Sequence, residues 1–284
     1  MSRTRVGAVG YLNARPLVYG LDRSPRFEIR FDVPSECARL LHAGAIDIGL
    51  IPSIEYLRGG PYRIVPDLAI TSRGPVASVA IFARKPMSDV QSIAMDTSSR
   101  TSVALTRVLC ARHFLIEPRF VPRSPDLAGM LSTCDAALII GDAALFLNPS
   151  GAPQIADGRR IEIHRFVDTI DLSRDVEKID LGDVWTRMTG LPFVYAFWAG
   201  RAGALSSADI DALRRARDEG VRRPDELARD YLADTPEHQE IGSRYLRHNI
   251  RYDLGGDERA GLEAFYRYAA EAGIVPEARQ PEFY

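Results

Sequence analysis

Four times along this chain a strand-like apolar run ends in a small polar turn, usually at the start of a helix. Arg5-Val6-Gly7-Ala8-Val9 meets Gly10-Tyr11-Leu12-Asn13-Ala14-Arg15-Pro16-Leu17. Ile51-Pro52-Ser53, Asp96-Thr97-Ser98-Ser99-Arg100-Thr101-Ser102 and Gly141-Asp142 repeat the pattern. Strand-turn-helix repetition restricts the fold to layered α/β structure. It also directs side chains and helix N-termini over the sheet edge, where ligands collect. Hydroxyls, amides and backbone N–H groups on several such turns suit a small anionic molecule.

The 284 residues suffice for about two domains. A formal net charge of −2 supplies no electrostatic footprint for nucleic acid or an anionic membrane, so anion recognition must be local. Cys37, Cys110 and Cys134 are dispersed in apolar patterns without a CxxC pair, as expected of buried free thiols in a reducing compartment. The opening residues lead into a strand without an apolar signal region, and no apolar run reaches the ~18–20 residues of a membrane span. A cytoplasmic protein is expected.

The first half alternates strands and helices. Phe27–Val33 alternates in polarity as a strand does, a helix runs from Pro34 to Ala43 with Gly44 behind it, and Ile46–Ile51 is a third strand. This order predicts a parallel sheet with right-handed crossovers. Tyr62–Thr71 and Val76–Arg84 are extended, joined by Ser72-Arg73-Gly74-Pro75. A second α/β run follows: strands at 92–96, 119–122 and 136–140, helices at 101–114 and 126–131. Residues 148–158 have loop composition, Asp180–Thr189 a helical pattern closed by Gly190, and Phe193–Ala199 a buried-strand pattern. From Ser207 the chain is helical. The expectation is two lobes with a ligand cleft between them and a helical tail on the first lobe. Residues 1–82 with 195–284 would form one lobe and 83–194 the other, with Val76–Arg84 and Phe193–Ala199 as the crossing strands.

Six segments in register carry a family resemblance: Gly10 through Leu17, Ser53-Ile54-Glu55-Tyr56-Leu57, Gly74-Pro75-Val76-Ala77-Ser78, Ser99-Arg100-Thr101-Ser102-Val103, Ile140-Gly141-Asp142-Ala143-Ala144-Leu145, and Trp185 through Phe193. Together they resemble the chorismate dehydratase family of the futalosine route to menaquinone. The resemblance covers about the first 200 residues; the tail fits in length more than in motif. It implies a type II periplasmic-binding-protein-like fold used as a cytoplasmic enzyme, with chorismate, a dicarboxylate, as substrate. The implied product is 3-[(1-carboxyvinyl)oxy]benzoate. It further implies no metal and no organic cofactor.

Each candidate residue has a plainer reading beside the functional one. Asn13 suits a helix N-cap; the resemblance makes it catalytic, a neutral amide able to donate to an oxygen of the substrate. Ser78 fits a packed strand, and no Ser–His pair makes it a covalent nucleophile; the resemblance makes it a catalytic hydrogen-bonding residue. Ser99, Arg100, Thr101 and Ser102 form a helix cap and equally a carboxylate cradle, Arg100 clamping an anion or pointing to solvent. Gly141 and Asp142 offer a turn and either a cap or a site carboxylate. Ser53 is a weaker binding candidate, and Glu55 is expected to cap or pair. The histidines His42, His113, His164, His238 and His248 are scattered off the strand-end turns without metal-ligand spacing. With no evident protein base, a carboxylate of the substrate is the expected proton acceptor. The rival readings are a small-anion binding protein or sensor of the same fold and the dihydroxynaphthoate-forming sister enzyme. The latter's opening turn is of a Ser-Pro-Cys-Pro-Asn-Asp type.

Overall fold

The computed structural model describes residues 3–147, 154–156, 159–161 and 176–284. His164 lies outside these residues. Of the loop expected over 148–158, only 154–156 are described, and they form a strand.

Two five-stranded sheets share one plan. The first contains β1 (Thr4–Val9), β2 (Phe27–Asp32), β3 (Ile48–Pro52) and β4 (Tyr62–Ser72). The second contains β5 (Val79–Ala83), β6 (Ser92–Asp96), β7 (Arg119–Arg123) and β8 (Ala136–Ile140). A short antiparallel hairpin, β9 (Gln154–Ala156) and β10 (Arg159–Ile161), stands apart. Then β11 (Glu177–Asp180) joins the second sheet and β12 (Phe193–Arg201) the first. Spatial order is β2-β1-β3-β12-β4 in the first sheet and, read in the same sense, β7-β6-β8-β5-β11 in the second.

The expected parallel pairing holds for β1 with β2 and β3, and for β6 with β7 and β8. Strands β12 and β5 depart from it: both are antiparallel to their neighbours. Each is the first strand after the chain comes over from the other sheet, so it starts where the parallel strands end. The crossing is correspondingly not made by the strands expected to make it. Residues 73–78 carry the chain outward, and the helix Leu181–Thr189 with the turn 190–192 brings it back.

Side-chain alternation fixes each strand in its layer. In β5, Val79, Ile81 and Ala83 join the main core, whereas Ala80 and Phe82 face a smaller cluster with Leu127, Met130 and Leu131. The main core is continuous from the first sheet through Trp185, Phe193 and Phe265 of the returning segment and tail. All three cysteines are free and buried, as expected. No helix among the described residues is long and apolar enough to cross a membrane.

The tail comprises helices Ser207–Gly220, Pro224–Tyr231, Gln239–His248 and Gly256–Glu271. It covers the first sheet and bonds through four tyrosine hydroxyls to turns of both sheets, described below. The last helix approaches the 190–192 turn so closely that a Cβ on Gly261 would sit 2.1 Å from the Pro192 carbonyl oxygen, itself hydrogen-bonded by Trp185 Nε1 at 3.2 Å. Gly256, in the same helix, has open space around it. Gly261→Ala should therefore lower the thermal midpoint by the equivalent of ~1–3 kcal/mol of overpacking, whereas Gly256→Ala should not. Equal midpoints for the two variants would show that the helix-turn contact is looser than the geometry requires.

Candidate active site

Strand β1 delivers Asn13 into a tight turn. After Val9 the chain forms a single 3-10 turn, Leu12–Ala14, and the short helix Arg15–Val18, with Leu12 and Ala14 buried beneath. The helix N-cap position belongs to Ala14 and carries no side-chain cap, so Asn13 is not the cap its type suggested. Its Oδ1 is buried and has no partner. A buried amide oxygen without a partner is costly in a folded chain and signals a missing ligand atom or water.

Ser78 arrives by a different device. In the crossing segment Gly74 and Ala77 both take left-handed conformations, φ +88° and +63°. For an alanine this costs about 1–2 kcal/mol. The Asp180 carboxylate offsets that cost by accepting N–H bonds from Val76 at 3.0 Å and Ala77 at 2.6 Å. Asp180 also caps the following helix through the Gly182 and Asp183 amides, at 2.9 and 3.0 Å. One half-buried carboxylate thereby sets the place of Ser78 and the start of the returning helix. The Ser78 hydroxyl then meets the Tyr245 hydroxyl at 2.7 Å.

The third contributor is the N-terminus of helix Arg100–Leu109. Ser99 is its N-cap and accepts from the Ser102 amide at 3.4 Å; the two hydroxyls are 3.0 Å apart. The fourth is Gly141, φ +66°, whose N–H donates to the Ser78 carbonyl at 2.8 Å. A Cβ there would press on the Tyr11 ring at 3.2 Å.

These turns line a small cavity of about 40 Å³. Asn13, Ser78, Ser99, Ser102 and Gly141 all face it, with Tyr11, Tyr195 and apolar side chains completing the wall. Among the described residues, none on the wall carries a formal charge, and none is a histidine, lysine or carboxylate. Burial pushes the Tyr11 phenol up and the Tyr195 phenol well up, so both serve as neutral hydrogen-bonding groups.

Four expected binding residues lie behind the wall instead. Arg100 turns to Glu55, 2.6 Å away, rather than to a ligand or to solvent. Glu55 is fully buried and also binds His42 and Arg58; burial alone would raise its carboxyl, but these partners outweigh it and hold the pKa below the ordinary value. Ser53 donates to the Val194 carbonyl at 2.8 Å within the first sheet, and Thr101, from the helix after β6, accepts from the Ile54 amide at 3.2 Å and so ties the second sheet to the first. Asp142 is not a cap. It lies inside the helix Gly141–Phe146 and accepts from the Leu12 amide at 3.3 Å and from the Tyr231 hydroxyl. Arg15, stacked on the Tyr231 ring at 4.6 Å, stands beside it.

Composition gave no hint of what the tail supplies. Tyr231, Tyr245, Tyr252 and Tyr266 bond respectively to the Asp142 carboxylate, the Ser78 hydroxyl, the Asn13 carbonyl and the Ser53 carbonyl. Buried tyrosines need a hydroxyl partner, so polar-tipped aromatics among the apolar positions of the tail were the available signal.

This geometry defines a class first. The periplasmic aliphatic sulphonate binding protein SsuA from Escherichia coli is similar over 99% of this chain and 96% of its own, at 16% identity and a TM-score of 0.63. A structural-genomics protein of Archaeoglobus fulgidus matches over 96% and 98%, at 16% identity and a TM-score of 0.68. The chain thus has the periplasmic-binding-protein fold. Residues 4–271 match the family described as menaquinone biosynthesis. Over 281 residues the chain is 34% identical to a Thermus thermophilus protein named chorismate dehydratase, a match spanning 98% of this chain and 97% of that one. The chain belongs to the menaquinone-biosynthesis family.

Two outcomes follow from the wall and its backing. Gly141→Ala should abolish ligand binding without unfolding the protein, since it strains φ and drives Tyr11 into the cavity; retained affinity in a titration would contradict this. For Asp142, burial raises the carboxyl pKa, with Tyr231, the Leu12 amide and Arg15 pulling it back. A folded pKa above the unfolded one contributes stability at low pH that is lost as pH rises through the raised value. Wild type should therefore gain melting temperature relative to Asp142→Asn between neutral pH and about pH 4. A pH-independent difference would mean that Asp142 ionises as an exposed carboxyl does.

Proposed function

We propose that this protein is a chorismate dehydratase acting in menaquinone biosynthesis, a cytoplasmic lyase that works without metal or organic cofactor. The observation that carries the reading is the convergence of Asn13 and Ser78 on one cavity, in a chain similar over its full length to a protein of that name. The same full-length similarity favours the dehydratase over a sensor or the sister enzyme.

The reaction removes the C3 hydrogen and the C4 hydroxyl of chorismate as one water and leaves an aromatic ring. Aromatisation supplies the driving force, so the site has to position groups rather than provide a strong base. The two carboxylates fit hydroxyls and amide N–H groups at the start of helix Arg100–Leu109, where the helix dipole favours negative charge. The partnerless Asn13 Oδ1 accepts from the hydroxyl of the substrate, and Ser78 donates to it. Because no described wall residue is a titratable base at neutral pH, a carboxylate of the substrate takes the C3 proton. In the enclosed cavity that carboxylate is a better base than in water.

Incubation with chorismate should yield a product lighter by one water, with undiminished rate after chelation of metals. Ser78→Ala and Asn13→Ala should each lower kcat by about a hundredfold, the usual loss for one positioned donor or acceptor. Arg100→Ala, off the wall, should leave kcat nearly intact while lowering stability, because it strips a charge partner from buried Glu55. Turnover that depends on added metal, or a dead Arg100→Ala that still folds, would overturn this assignment.

A further inference from the structure

The residue before Ser78 holds an unusual backbone. Ala77 has φ +63°, and the Ser78 amide reaches back to the Val76 carbonyl at 2.8 Å. A bond between residues two apart, closed around a positive φ, is a γ-turn of the rare and strained kind. Glycine takes such a φ without steric cost, whereas alanine does not. The Ser78 N–H is committed inside this turn, and the Ser78 carbonyl accepts from the Gly141 amide at 2.8 Å. With both backbone groups fixed, the turn sets the direction in which the Ser78 side chain leaves the chain. A strained turn beside a reacting group persists only where its surroundings hold it.

Asp180 supplies that hold, and its two oxygens divide the work. Oδ1 accepts from the Val76, Gly182 and Asp183 amides, at 3.0, 2.9 and 3.0 Å. Oδ2 accepts from Ala77, at 2.6 Å, the shortest of the four bonds. The first oxygen caps the returning helix; the second clamps the γ-turn. The upstream part of the crossing segment is held separately, by the Gly74 amide donating to Thr186 Oγ1 at 2.8 Å. What Oδ2 controls is therefore local to the turn that carries Ser78.

We infer that Asp180 is a positioning residue for the elimination: its Oδ2 holds Ala77 in the strained γ-turn, and the turn aims Ser78 Oγ at the departing hydroxyl. The inference rests on the dehydratase reading. Asp180 is not on the cavity wall and exchanges no proton with the substrate; it acts through Ala77. Asparagine at this position separates the two roles. Three bonds at Oδ1 outweigh one at Oδ2, so the amide oxygen takes the Oδ1 place and the NH2 group meets the Ala77 N–H, donor against donor. The helix cap survives while the turn loses its clamp. Substrate still binds through the other turns, so the loss should fall on kcat rather than KM.

The test is Asp180→Asn, measured alone, with Ala77→Gly and with Ser78→Ala, using chorismate as substrate and thermal melting as a fold control. Alone it should lower kcat about tenfold with KM changed less than about twofold. Adding Ala77→Gly should bring kcat back to within about threefold of the Ala77→Gly parent, because glycine adopts the turn without a clamp. Adding Asp180→Asn to Ser78→Ala should cost little more than Ser78→Ala itself. A merely structural role, through the helix cap or stability, gives neither the rescue nor the masking. Should Asp180→Asn alone fold poorly, the variant that also carries Ala77→Gly relieves the strain and decides the matter by the same comparison. An unimpaired Asp180→Asn, or a loss that Ala77→Gly does not repair, overturns the positioning role and leaves the dehydratase reading intact. A wild-type protein inert toward chorismate overturns both.

Discussion

Four tyrosine hydroxyls hold this site together. Each comes from the C-terminal tail and bonds to a different turn: Tyr252 to Asn13, Tyr266 to Ser53, Tyr245 to Ser78 and Tyr231 to Asp142. The turns need such partners because strand ends leave carbonyls and hydroxyls unsatisfied once the structure is covered. A rigid aromatic with a polar tip satisfies them at little side-chain entropy while its ring extends the core. Net contributions of about 0.5–1.5 kcal/mol each are modest beside the hydrophobic core. Their importance is geometric, since the cavity is nothing more than the space these turns surround.

The distribution of charge follows from the same economy of space. The wall is neutral, whereas the carboxylates of Asp142, Asp180 and Glu55 lie behind it, each committed to N–H, hydroxyl or guanidinium donors. A carboxylate on the wall would repel a dianionic substrate, and an arginine there would hold both substrate and product by charge alone. Hydroxyls and the helix Arg100–Leu109 N-terminus recognise anions by direction instead. On the dehydratase reading proposed above, that would leave the carboxylates of the substrate weakly neutralised and basic. Pairing Arg100 with Glu55 is thus part of the site's electrostatics although neither touches the cavity.

The readable part of the molecule was the part coded locally. Strand alternation, the Ser99 cap and the left-handed Gly190 were all visible because their signals lie within a few residues of the structure they determine. Ser99, Ser102 and Gly141 were placed on the wall for the same reason, through their positions on strand-end turns, whereas Asn13 and Ser78 were singled out by the family resemblance, their local patterns fitting a cap and a packed strand as well. The destinations of Arg100, Thr101, Ser53 and Asp142 were not, because each is decided by a partner brought near only by folding. The antiparallel direction of β5 and β12 has the same origin: it depends on where the chain enters a sheet, not on the residues of the strand. Tyr245 is separated from Ser78 by 167 positions, and no local pattern could have joined them.

The clasp between tail and turns also bears on how far the two sheets can part. In a protein that only captures a ligand, two sheets need a joint that swings. Here Asp142, from the helix after β8, is held at once by the Leu12 amide of the first sheet's opening turn and by Tyr231 of the tail. Thr101 is tied across to Ile54, and Ser78 to Tyr245. Parting the sheets must break several such bonds together, at roughly 1 kcal/mol net apiece, with water able to replace part of each. Opening is then uphill by a few kcal/mol, small enough to admit substrate and large enough to keep the cavity shut during reaction. An elimination that uses the substrate's own carboxylate as base gains from that balance, because water admitted at the wrong moment would solvate the base and compete for Ser78.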